Sequence, residues 1–200
     1  MPPQKEMRIA ILKKDLDNAL RIDEIKLADR IKATGFKCRK CAQCCMSESG
    51  DNTVIVSPSE IRKISMGSGL ERHDFVIPTP SDDRDQDGNI HTFEWVLKKN
   101  SDCIFLKEKL CEIYECRPFI CRTYPFYLLD GKLEVCECMG LGGTISDRES
   151  LELARLLKER YVREIKETIA LFEKFRGFNP GSGGNVCVHD SEGEHWITID

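Results

Sequence analysis

The 200-residue chain has no apolar run approaching the 20 or so residues that a membrane helix needs. Its opening stretch, MPPQKEMRIAILKKDLDNAL, holds no apolar segment of signal-peptide length, because residues 9–12 are too few. It has no excess of positive charge: 30 Lys and Arg stand against 34 Asp and Glu, for a net charge of −4. That balance argues against general nucleic-acid binding. Histidine is scarce, at four, and no nucleophile–base pair stands out, so whether the chain is an enzyme stays open. These absences give the expectation of a cytoplasmic protein with no membrane and no nucleic-acid partner.

Cysteine is what the chain has in excess, with eleven. Two chemistries produce such a count: a secreted disulfide scaffold, or an intracellular metal protein. The odd number, and a CxxCxxCC spacing that is poor disulfide geometry, favour metal. Hydrophobic residues make up 40% of the chain and charged residues 32%, which suits one modest core under a well-solvated surface.

The organising stretch is residues 36–45, FKCRKCAQCC. Cys38, Cys41 and Cys44 follow one another at x2 spacing, and Cys45 comes directly after. A CxxC step lets a tight turn aim two sulfurs at one ion. Repeating it gathers three, and a remote cysteine supplies the fourth. Lys37, Arg39 and Lys40 lie among these thiols. Cations there favour thiolate, the form that binds metal. Adjacent side chains diverge, so Cys44 and Cys45 do not easily share an ion, and a disulfide between them would be strained.

Before this stretch, apolar residues at 9, 12, 16, 20, 25, 28 and 31 predict an amphipathic helix broken near Asp17 and closed by Gly35. After it, residues 53–56 read as a strand. Ser57, Pro58 and Glu60 then open a short helix ending by Gly67. Residues 83–94, DRDQDGNIHTFE, match the calcium-loop pattern through Asp83, Asp85, Asp87, Gly88 and Glu94. Pro78 and Pro80 spoil the incoming helix, and the alternative is a polar turn before a strand at 90–98.

Residues 103–106 and 111–114 read as the two strands of a hairpin. Pro118 starts a helical turn carrying Cys121 and Arg122, and Asp130-Gly131 turns a further hairpin that ends at Cys136. Ser146 and Glu149 form a capping box for a long helix to about Arg176, with an apolar stripe of Leu151, Ala154, Leu157, Tyr161, Ile165, Ile169 and Phe172. In the tail, Cys187, His189 and His195 are candidate ligands, although a lone tail cysteine reads first as a bystander.

The ordered set FKCRKCAQCC, SDCIFL, CEIYECRPFICRTYPF and CMGLGG resembles the CxxCxxCC cysteine-cluster family (YkgJ-type), described as zinc- or iron-chelating. The resemblance runs from about residue 36 to 143. It implies eight recurring metal ligands: Cys38, Cys41, Cys44, Cys45, Cys103, Cys111, Cys121 and Cys138. Cys138 is preferred to Cys136 because the family's last cysteine precedes a Gly-x-Gly. Met139 stands where the family usually has proline, which leaves that choice open. Cys116, Cys136 and Cys187 are extras, while Arg117, Pro118 and Arg122 match. The flagellin lysine N-methylase is similar in this pattern and is associated with an iron–sulfur cluster and S-adenosylmethionine.

The expected fold is α+β: a small cysteine-rich, metal-bound core of short hairpins and short helices, flanked by an N-terminal helix and a long C-terminal helix. The expected segments are a helical extension (1–35), the cysteine-cluster domain (36–145), the long helix (146–178) and a flexible or hairpin tail (179–200). Thiolates without a clear histidine partner suit zinc or iron–sulfur. CxxCxxC with a distant fourth cysteine favours a [4Fe–4S] cluster over zinc. The radical S-adenosylmethionine spacing CxxxCxxC is absent. The functional expectation is redox or methyl-transfer chemistry on an iron–sulfur cluster. The alternatives are a zinc-stabilised module that binds another protein, or a carrier of metal or cluster. Another protein is the expected partner.

Overall fold

A computed structural model describes residues 4–82, 88–174 and 185–198. The calcium-loop carboxylates Asp83, Asp85 and Asp87, the helix stop at Gly177 and residues 179–184 of the tail lie outside the described residues. The fold is α+β.

The chain opens with α1 (Gln4–Leu20) and α2 (Glu24–Thr34). The break expected near Asp17 falls instead at residues 21–23. Asp23 caps α2, its carboxylate accepting from the N–H groups of Ile25 (3.0 Å) and Lys26 (3.1 Å). Gly35, at φ +69°, ends the helix by donating to the carbonyls of Ile31 and Lys32. Next come β1 (Ile55–Val56) and α3 (Pro58–Ser68). The full capping box of Ser57 and Glu60 is present, with Pro58 in the first turn. Gly69, left-handed at φ +75°, stops this helix two residues past the expected Gly67.

Then follow α4 (Arg72–Phe75), β2 (Val76–Pro78), β3 (Ile90–Thr92), β4 (Trp95–Leu97), β5 (Lys99–Asn100), β6 (Asp102–Cys103), β7 (Leu106–Lys107) and β8 (Leu110–Cys111). After a 3₁₀ turn at Tyr114–Cys116 come α5 (Phe119–Thr123), β9 (Phe126–Leu129), β10 (Lys132–Val135), α6 (Asp147–Lys174), β11 (Val186–His189) and β12 (Glu194–Ile197).

Two expectations are corrected here. Residues 90–98 are two strands in different sheets. Ile90–Thr92 pairs with β11, whereas Trp95–Leu97 lies between β1 and β2. All three residues of β4 are buried, as a central strand covered on both faces requires, and no polar alternation marks it. The second correction concerns the hairpin at 103–114. Cys103 pairs back with Lys99, and the hairpin proper joins Leu106–Lys107 to Leu110–Cys111. Glu108 and Lys109 both take positive φ (49° and 62°), the twist that a two-residue turn between strands demands. The hairpin of β9 and β10 turns the same way at Asp130 and Gly131, as expected.

The chain divides into two compact units, each built from two separated segments. The first comprises Met1–Cys44 and Phe119–Ile169. Its core gathers Leu27, Ala28 and Ile31 of α2, Phe126 of β9, Ile145, and Ala154 and Leu157 of α6. Ala19 of α1 packs with Ile165 and Ile169. The apolar stripe read along α6 is thus a packing face. Burying one such side chain contributes about 1.5–3 kcal/mol.

The second unit comprises Cys45–Pro118 and Ala170–Asp200. Its sheet β1-β4-β2 buries Val56, Val76, Trp95, Val96 and Leu97, alongside Ile61 and Ile64 of α3. Phe75 packs on Phe105 with ring centroids 5.7 Å apart. A second sheet, β12-β11-β3, joins β11 to β12 antiparallel and to β3 parallel.

Candidate metal centre

In the first unit, the cysteine loop leaves α2 through Gly35 and is fastened at once. Phe36 forms an isolated antiparallel bridge with Leu141 and meets Phe126 edge-on at 5.6 Å. The Lys37 N–H donates to the Gly140 carbonyl at 2.9 Å, and the Gly142 N–H donates to the Gly35 carbonyl at 3.0 Å. These bonds lay the segment that enters Cys38 beside the segment that leaves Cys138.

The glycines of this strip serve close backbone approach. A Cβ at Gly140 would stand 2.5 Å from the Lys37 oxygen, and one at Gly143 would stand 2.8 Å from the Lys37 Cβ. Within the loop, Lys40 and Ala42 take positive φ of 51° and 61°. A non-glycine residue there costs about 1–2 kcal/mol. Such left-handed residues alternate the chain direction and turn backbone N–H groups toward one concavity, the arrangement that receives anions.

The thiols of Cys38, Cys41 and Cys44 are exposed, and that of Cys138 is half-buried. Burial pushes the Cys138 thiol up from its ordinary pKa, and the charges of Cys41, Cys38 and Cys44 push it further. The Gly140 N–H, which donates to the Cys138 sulfur at 3.4 Å, works the other way. The Cys138 thiol therefore lies within electrostatic reach of the other three.

Tyr124, which the sequence did not single out, belongs to the same place. Its phenol is pushed up by burial first, then by the charges of Cys138, Cys136, Cys44 and Cys41. Its hydroxyl donates to the Glu137 carbonyl. The preceding residue, Thr123, is held by Arg160 of α6, whose guanidinium donates to the threonine hydroxyl at 2.9 Å. Cys121 lies on α5 in this unit and is half-buried.

The second unit starts at Cys45, so the division between the units falls at the bond joining Cys44 to Cys45. Here buried Asn52 organises the thiol-bearing segments. Its side-chain amide donates to the carbonyls of Cys45 (3.0 Å) and Ser101 (3.2 Å). Nearby, the Ser47 N–H and hydroxyl both donate to an Asp102 oxygen, at 2.8 and 3.2 Å. Cys45 and Cys103 are thereby carried on clamped segments. Cys111 follows at the end of the short hairpin, opposite Leu106. Cys116 packs against Gly67, where a Cβ would reach within 2.7 Å of its sulfur. Arg117 lies flat over Tyr114, 3.5 Å from the ring centroid.

All eleven cysteines are described, and no disulfide joins any pair. Of the eight cysteines singled out in the sequence, Cys38, Cys41, Cys44, Cys121 and Cys138 lie in the first unit, and Cys45, Cys103 and Cys111 in the second. No helix among the described residues is long and apolar enough to cross a membrane.

No curated protein and no solved structure matches the chain. One family does match, with the description "Putative zinc- or iron-chelating domain", over residues 37–139, just over half the chain. That span holds all eight of the cysteines singled out in the sequence and the clamp at Asn52, and it ends one residue before Gly140. The chain is a metal-binding protein and belongs to the CxxCxxCC family.

Proposed function

We propose that Cys38, Cys41, Cys44 and Cys138 hold a [4Fe–4S] cluster, and that the protein uses it in redox or methyl-transfer chemistry with another protein in the cytoplasm. The observation that carries this reading is the backbone pairing of Lys37 with Gly140 and of Gly142 with Gly35, which lays the entry to Cys38 beside the exit from Cys138. Three cysteines at x2 spacing with one remote partner are a common iron–sulfur ligand arrangement. The cluster would supply one-electron chemistry, or an anchor for a methyl donor. The chain's own residues would bind it, shield its inner side with Tyr124 and the glycine strip, and leave its outer side open at the exposed loop. A protein partner could then exchange an electron or present a side chain there. Cys121 stays in the proposed ligand set on the family pattern, as do Cys45, Cys103 and Cys111.

A zinc reading is favoured by one observation in the second unit. The ladders β5-β6 and β7-β8 hold two residues per strand. Hairpins that short are not stable alone in water, and an ion on Cys45, Cys103 and Cys111 would staple them. Such a unit would serve as a protein-interaction module.

Anaerobic purification with iron, sulfide and zinc analysis tests both. Brown protein with iron and acid-labile sulfide, lost in Cys41→Ser, supports the cluster. Tightly held zinc without sulfide rejects it in favour of the staple. Rapid loss of metal to an apo-acceptor would make the protein a carrier instead. Methyl transfer from labelled S-adenosylmethionine is the measurement for the enzymatic part.

A further inference from the structure

The sheet β12-β11-β3 carries a second kind of donor set, far in sequence from the cysteine loop. Along a strand, alternate residues share a face, so Cys187 and His189 of β11 point the same way. The parallel register places His91 of β3 directly beside Cys187. All three side chains are buried, Cys187 and His189 completely. Each offers one donor atom, and these atoms lie within 4.8 Å of one another. The closest pair, His91 Nδ1 and His189 Nε2, is 3.0 Å apart. Two imidazole nitrogens on a tetrahedral zinc ion, at about 2.0–2.1 Å each, stand roughly 3.3 Å apart, so the site needs to open by only a few tenths of an ångström.

The surroundings fit a cation. His189 turns its other ring nitrogen, Nδ1, toward Glu194 of β12, 4.0 Å from a carboxylate oxygen. At that distance the carboxylate acts through its charge, which favours positive charge on the ring. Trp196, opposite Cys187 in the register, meets the His91 ring edge-on at 6.0 Å. The Cys187 thiolate and the nearby Glu194 and Asp190 carboxylates would offset an ion of charge +2, as burial requires.

We infer that His91, Cys187 and His189 form a binding site for a zinc-class divalent ion, separate in its ligands from the eight-cysteine set. Three protein donors leave one coordination position. Imidazole and thiolate together select a borderline metal over calcium or magnesium. Burial pushes the Cys187 thiol up to about 11, so without metal it is a neutral thiol. On binding, the thiol proton leaves to solvent. The rings stay neutral, one exchanging tautomer so that His91 Nδ1 and His189 Nε2 both present lone pairs. Nothing is oxidised or reduced. The ion would tie β11 to β3, two strands that no short turn connects.

The test uses the full chain purified without chelator, with zinc as probe. Metal analysis is run on the native protein and on Cys187→Ser, His189→Gln and Cys38→Ser. The expected result is loss of about one zinc per chain in Cys187→Ser and His189→Gln, with the metal of the cysteine loop unchanged. In Cys38→Ser the pattern reverses. Equal zinc in the native protein and in folded Cys187→Ser overturns the inference. If those variants do not fold, ring-¹⁵N spectra of the native chain before and after zinc decide it. Movement of His91 Nδ1 and His189 Nε2 supports the site, and unmoved resonances overturn it. Because the loop's metal is read separately, failure here is distinguishable from failure of the cluster proposal.

Discussion

Lys37 and Gly140 are in direct backbone contact: the lysine N–H donates to the glycine carbonyl at 2.9 Å, and a Cβ on Gly140 would come to 2.5 Å from the lysine oxygen. The atom it would meet is main chain and cannot swing away. Gly140→Ala is therefore expected to push apart the segments bearing Cys38 and Cys138. Overpacking of this kind costs about 1–3 kcal/mol. A lowered urea midpoint together with reduced metal content is the expected outcome. An unchanged midpoint and full metal loading would show that the approach is not needed.

Cys136 and Cys138 are two residues apart and differ in setting. Cys136 is exposed, whereas Cys138 is half-buried and receives the Gly140 N–H. Cys138→Ser is expected to remove most of the metal held by the loop, and Cys136→Ser to leave it nearly intact. Metal content per chain, measured anaerobically, compares them. Equal losses would assign both sulfurs to the site or neither.

Asn52 has a comparable role in the second unit, where one amide satisfies two carbonyls. Replacing it by alanine removes both of these hydrogen bonds, and a bond of this kind contributes about 0.5–1.5 kcal/mol. Asn52→Ala should lower stability and speed the reaction of Cys45 and Cys103 with a thiol reagent. Mass spectrometry of the labelled peptides reads the second effect. Unaltered labelling rates would mean that the clamp does not shape the thiol segments.

The start of α6 carries an acid-sensitive cap. The Glu149 carboxylate accepts from the Ser146 hydroxyl and N–H, and these bonds hold its pKa below the ordinary 4.5. A carboxylate whose pKa falls on folding stabilises the native state fully above its unfolded value. That stabilisation disappears as pH drops from about 4.5 through the depressed folded value. Ser146→Ala should flatten the acid dependence of helix content below that point. Circular dichroism across pH 5 to 2 is the measurement, and superimposable curves would count against the cap.

Part of the fold was legible from local sequence. Two x2 steps marked the cysteine loop, the family resemblance proposed Cys138 as its partner through the Gly-x-Gly that follows, and capping chemistry at Ser57 and Ser146 marked two helix starts. What stayed hidden depends on long-range register. His91 sits in an unremarkable IHT triplet, and only its parallel pairing with Cys187 reveals it as a neighbour of two ligand-type side chains. Cys187 read as a bystander for the same reason. Tyr124 lies in the TYPF run of the family resemblance, yet nothing in its own neighbours announced the thiols around it. The split of residues 90–98 was invisible because Trp95, Val96 and Leu97 are buried on both sides and show no alternation.

The partition of the chain has a consequence for biosynthesis. Each unit takes one stretch from early and one from late in the sequence. A ribosome making this protein releases the CxxCxxC loop long before the stretch with Cys138, and β3 long before β11. Neither unit can close while it is being translated, so the first thiols emerge as an open, oxidation-prone loop. Metal delivery to the loop is therefore expected to wait until Cys138 has been made, and a message truncated after α6 would yield a chain whose second sheet has no central strand.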